Sequence, residues 1–133
     1  MIRSILAVLA GIAALTLTSF IVEGIANPVL LRLFPNALPN EAAITQNQIS
    51  SIFVYAYTAL CIAYGGYVTA WIARRAQVLH AVIMGACQTG LTLIAMISFR
   101  DGGPLQIWIV SLTMTIPAAW CGGVLRARAK KAP

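Results

Sequence analysis

Four long apolar stretches alternate with short polar ones along the chain. They run from about Ser4 to Ala26, Ser51 to Ala73, Val78 to Ser98 and Leu105 to Leu125. Each holds roughly 20 residues, the length a helix needs to cross a hydrocarbon layer of about 30 Å. The pattern predicts an all-α membrane protein, a four-transmembrane-helix antiparallel bundle forming one domain over 1–133. The first stretch follows Arg3 and ends in Gly24-Ile25-Ala26, so it also has the outline of a signal peptide. Its apolar run exceeds an ordinary signal-peptide core, and a retained helix is expected.

The connections differ in length. Residues 27–50 form the long one, and Pro28, Pro35 and Pro39 are expected to break it into short pieces. Val29 to Phe34 is apolar around Arg32 and is expected in the membrane interface. Asn40 before Glu41 has the form of a helix cap, with Glu41 in the first turn and a polar lead-in to the second span. Arg74-Arg75 and the segment 100–104 are tight turns.

Small residues form a stripe on each span. They are Ser4, Ala7, Gly11, Ala14 and Thr18 in the first, and Ala56, Ala59, Ala63, Gly66 and Ala70 in the second. The third has Ala81, Gly85, Gln88, Thr92 and Ala95, and the fourth Ser111, Thr115, Ala118 and Gly122. Lipid gives helices no hydrophobic reason to associate, so close approach at small residues must hold the bundle. The spacing predicts left-handed crossings near about +20°. Pro117 is expected to bend the fourth span, with Thr113 and Thr115 compensating. Gly65-Gly66 and Gly122-Gly123 each precede a basic helix end, a faint repeat of two related hairpins.

Composition agrees with a membrane setting. The chain is 60% hydrophobic and 9% charged, against about 45–50% and 25% in soluble domains. The net charge of +6 comes from residues at span ends, which reads as topogenic charge rather than a nucleic-acid surface. Arg3, Arg74, Arg75, Arg126, Arg128, Lys130 and Lys131 fall on one side, and Arg32 and Arg100 on the other, seven against two. Arg74, Arg75, Arg126 and Arg128 are the chief topology determinants. The bias predicts a multi-pass protein with both termini in the cytoplasm.

Candidate chemistry is sparse. Glu23 is the one acidic residue inside a span, and with Thr16 and Ser19 it forms a second polar face, nearly opposite the small stripe. An intramembrane carboxyl is costly, and it suggests a proton or cation site or a partner contact. The alternative is a residue near the outer helix end that reaches headgroup water or pairs with Arg32. Gln88 at mid-depth suits an interhelical hydrogen bond or a substrate contact. Tyr57, Tyr64 and Tyr67 share one face, either as packing and belt residues or as the wall of a ligand groove. His80 is the single histidine, and Cys61, Cys87 and Cys121 lie in spans without metal-ligand spacing. No catalytic set, cofactor motif or metal motif is present, so no enzyme activity, cofactor or metal is expected.

The GGYVTAWIARR turn, the LHAVIMGACQTG entry and the PAAWCGGVLRAR end resemble the small uncharacterised four-span membrane proteins of bacteria. That resemblance covers most of the chain, and it implies a bacterial cytoplasmic membrane without implying an activity. Small multidrug transporters also have four spans and a Glu in the first. This chain departs from them in its long first connection, in a Glu23 near the expected helix end, and in its fixed charge bias. The sequence therefore leads to a non-enzymatic accessory or scaffold subunit, with the lipid bilayer and a larger membrane complex or a homo-oligomer as partners and no nucleic acid. The alternative is a small transporter or proton-coupled carrier using Glu23, with Gln88 and Tyr64 as transport or partner contacts.

Overall fold

The computed structural model of the chain describes residues 2–73, 75–98 and 105–130, with the side chains of 41, 42 and 45 left aside. The expectations for Arg74, Arg100 and Lys131 lie outside the described residues. The helices are α1 (Ile2–Leu33), α2 (Glu41–Gln46), α3 (Gln48–Ala73), α4 (Gln77–Ser98) and α5 (Leu105–Ala129). All but α2 are long and apolar enough to cross a membrane. They pack on one another as an up-and-down bundle. Consecutive long helices run in opposite directions, so α1 and α4 point away from the chain ends and α3 and α5 return.

Pro28 does not end α1, contrary to the expected break. The helix continues through it to Leu33. A proline removes one amide donor, here the one that would reach the Gly24 carbonyl. That loss is outweighed because the extra turns bury Leu30 against Leu38 and Ile44, a second small core with Leu31, Ala43 and Val54 around it. The long connection therefore shrinks to a short link and α2. Asn40 caps α2 as expected, its Oδ1 accepting from the Ala43 amide at 3.0 Å. Asn47 then starts α3, its Oδ1 accepting from the Ile49 amide at 3.0 Å. The buried Ser50 hydroxyl donates to the Ile44 carbonyl at 2.7 Å and closes the bend between the two helices.

The main core joins Leu15, Cys61, Ile62, Met84 and Ala119. Helix α3 is the hub, packed on α1, α4 and α5, while α4 packs on α5 and more lightly on α1. The small stripes face inward at Ala7, Gly11, Gly66, Ala70, Ala81, Gly85, Thr115 and Gly122, all buried; Ala56 alone faces outward. Gly65 lies where an added Cβ would be 2.9 Å from the Gly11 carbonyl oxygen of α1, and at Gly123 one would be 2.7 Å from Ala81 Cβ of α4. Gly66 and Gly122 instead meet the α5 backbone at Ala119 and the α3 backbone at Ala63. Each glycine pair thus turns one member to its own hairpin partner and the other to the glycine-bearing helix of the other hairpin, in keeping with the faint repeat.

These contacts form a sealed layer in the half of the bundle nearest the chain ends. Arg3 ties that end further, its Nε donating to the Ile72 carbonyl at 3.2 Å at the end of α3. Gly24 and Gly90, in the opposite half, have nothing within 4 Å of an added Cβ. The helices are tight at one end and splayed at the other. Pro117 sits inside α5, but the expected compensation is not made. Thr113 donates to the Ile109 and Val110 carbonyls and Thr115 to that of Ser111, a turn before the Thr113 carbonyl that the proline frees.

Candidate functional site

The splayed half holds a partly open cavity of about 620 Å³ lined from α1, α3, α4 and α5. Its floor is Leu15, Ile62 and Thr115, directly above the glycine layer, and its upper wall includes Phe20, Glu23, Ile107 and Trp108. Thr16, Ser19, Thr58, Gln88, Thr92 and Ser111 supply polar groups between these levels. The size falls within the ordinary range of small-molecule sites.

Glu23 and Gln88, singled out separately from the sequence, share this cavity. The polar face of Thr16, Ser19 and Glu23 therefore turns into the bundle. Glu23 also stands ten residues before the end of α1 at Leu33, about 15 Å along the helix, rather than near its end. Among the described residues it makes no hydrogen bond or ion pair, and Arg32 is not its partner. Tyr57 of α3 is close enough to interact with it electrostatically.

The hydroxyls have a consistent polarity. Thr16 donates to the Ile12 carbonyl at 2.9 Å, Thr92 to Gln88 at 3.0 Å and Thr115 to Ser111 at 2.6 Å. Their hydrogens are used inside their own helices, so the oxygens remain as acceptors. These three oxygens and the Glu23 carboxyl suit a donor or a positive charge, while Gln88 and Trp108 also bring N–H donors to the wall. Among the described lining residues Glu23 is the one carboxyl, and none is Lys, Arg or His. Among the described residues no group of three His, Cys, Asp or Glu comes together to hold a metal.

Tyr64 does not join this site. It is 52% exposed on the outer surface of α3, away from Glu23 and Gln88, in a position that suits a partner contact rather than a place in the cavity wall. Tyr67 instead lies under the Arg126 guanidinium, 5.8 Å from ring centroid to Cζ. His80 is half-buried, its Nδ1 3.0 Å from the Ala76 carbonyl oxygen of its own helix. Cys61, Cys87 and Cys121 are free thiols.

Two residues of interest were not singled out in the sequence. Trp108 reads as an interfacial belt residue but lines the cavity. Asn27, taken as the first loop residue, is one turn beyond Glu23 on the same face, with its Oδ1 buried and without a partner. Its four-residue spacing from Glu23 was the available signal, hidden by the proline that follows. No family model, curated protein or solved structure matches the chain.

Proposed function

We propose that the protein is a small membrane carrier that binds a proton or a small cation at Glu23. The observation that carries this reading is the Glu23 carboxyl, the one carboxyl among the described lining residues, set with the acceptor oxygens of Thr16, Thr92 and Thr115 in a cavity above the glycine layer. Loading from the splayed end is the physical expectation, because the cavity around Glu23 lies in that half and the glycine layer lies below it. Gln88, Ser19 and Ser111 would orient the bound cation, and Phe20 and Trp108 offer aromatic surface to an organic one. The charge bias supports a bacterial cytoplasmic membrane with both termini in the cytoplasm, which puts the cavity toward the outside.

The test is uptake of a panel of small monovalent organic cations into proteoliposomes under an imposed pH gradient. Glu23→Gln removes the charge and keeps the shape, and it is expected to abolish saturable uptake while the protein stays folded. Equal uptake by Glu23→Gln and the parent would overturn the assignment.

A second reading, an accessory subunit, is favoured by one feature. An apolar groove of about 380 Å³ runs between α1 and α4, with Ile5, Leu9, Ile12 and Ile83 in its walls. A membrane helix of a larger complex, or of a second copy, fits such a groove. Stoichiometric recovery of a large partner from gentle detergent, lost on Leu9→Trp, would favour this reading over transport.

A further inference from the structure

At the other end of the bundle, Arg126 presents a different problem from Glu23. Its Nε is buried and has no hydrogen-bond partner among the described groups. Its guanidinium is held over Tyr67, Cζ lying 5.8 Å from the ring centroid. A cation–π contact at this distance keeps the guanidinium near the ring face, beside the concavity. One helical turn on, Lys130 faces the same way, and with Trp71 and Gln77 the two cations line a concavity of about 320 Å³.

The guanidinium, ammonium and indole N–H around this concavity are donors only, and the Gln77 amide can turn its NH2 toward it. Gln77 is also the first residue of α4, so the positive end of that helix faces the same region. Among the described residues no carboxylate lines the concavity, and Glu23 belongs to the cavity at the opposite end. Neutralising the helix C-termini could account for exposed basic residues such as Arg128. It does not account for an arginine held over a tyrosine ring with a lysine and an indole N–H around one shared concavity.

We infer that Arg126, Lys130, Gln77 and Trp71 bind a phosphate group. A planar fork beside a point charge suits tetrahedral phosphate oxygens, with two parallel N–H bonds from the arginine and one from the lysine. An anionic phospholipid headgroup and a soluble phosphate share this chemistry, and the site accepts it without reference to the cavity around Glu23.

The experiment is native mass spectrometry of the intact protein released from detergent, with phosphatidylglycerol, with diacylglycerol of the same chains, and with inorganic phosphate. Phosphatidylglycerol is expected to stay bound where diacylglycerol does not. Lys130→Gln is expected to weaken it about tenfold, the loss of one charge-assisted contact, and Arg126→Gln by at least as much, since it removes two. Arg126→Lys keeps the charge without the fork and is expected to lose most of that affinity. Arg128→Gln removes the same charge outside the concavity and is expected to change little. Displacement of the lipid by millimolar phosphate, or binding of phosphate alone, would identify a soluble phosphate as the ligand; retention against it would identify the headgroup. Lys130 is exposed, so its variant keeps the test valid even where Arg126→Gln does not fold. Equal losses in Arg126→Gln, Lys130→Gln and Arg128→Gln would overturn the site in favour of diffuse attraction. Equal retention of diacylglycerol, or no binding of either phosphate probe, would overturn it as well.

Discussion

Gly122→Ala places a methyl group where α3 and α5 are closest. The new carbon would overlap the Ala63 carbonyl oxygen outright and lie 2.8 Å from the Ala63 carbonyl carbon and 2.9 Å from the Tyr67 amide nitrogen. All three atoms are backbone, so no side-chain rotation relieves the clash. Carbon atoms settle at about 3.5–4.0 Å, so the helices must part by about 1 Å. A gap of that size forfeits roughly a quarter to a half of the dispersion energy of each contact it opens. Overpacking of this kind costs about 1–3 kcal/mol, offset by up to about 1 kcal/mol for alanine's better helix preference. With a backbone obstacle the cost sits at the upper end, and a net loss of about 2 kcal/mol is expected. Gly90→Ala is the matched control, because its methyl meets nothing within 4 Å. The assay is the rate of maleimide-dye modification of Cys61 during a thermal ramp in a Cys87→Ser, Cys121→Ser background. Cys61 is 3% exposed and reacts only when the bundle opens. Gly122→Ala should lower the transition temperature by several degrees and Gly90→Ala should leave it unchanged or raise it. Equal behaviour of the two variants would refute the sealed glycine layer.

Two further outcomes test the rest of the bundle. Met84 is fully buried in the main core; Met84→Ala should cost about 2–5 kcal/mol, seen as a lower transition in the same Cys61 assay, whereas Leu60→Ala on the exposed surface should be nearly silent. Ala76, between α3 and α4, has φ 47°, a left-handed conformation unusual for alanine; Ala76→Gly should relieve about 1 kcal/mol of strain and raise the transition slightly.

The four spans were legible because lipid demands length and apolarity from every helix that crosses it, and little else competes with that signal. The stripes were legible for the same reason, since Gly11, Gly66, Gly85 and Gly122 occur at helical spacing and leave room for backbones to meet. Asn40 was legible as a cap because its signature is local. The continuation of α1 through Pro28 was not, because it depends on Leu30 finding Leu38 and Ile44 from a different helix and its link. Tyr64 was considered by type and depth, which say nothing about which way a side chain faces, and Trp108 near the end of its span gave no sign that it would line a cavity. Glu23 and Gln88 were each visible as costly residues in a membrane, but their sharing of one cavity is a property of how α1 and α4 splay. The Arg126 concavity was hidden among other basic residues until Tyr67 was found beneath it.

The most direct test of the central claim is one-sided access to the polar cavity. Ser19→Cys and Ser111→Cys, each in a background without other cysteines, would be exposed to a membrane-impermeant cationic thiol reagent from either face of sealed vesicles. Both should react from the face opposite the chain termini and not from the face that carries them, and Glu23→Gln should slow the reaction by removing the attracting charge. Reaction from the terminal face, or no reaction until the protein is unfolded, would contradict a cavity open at one end and sealed by glycine contacts at the other.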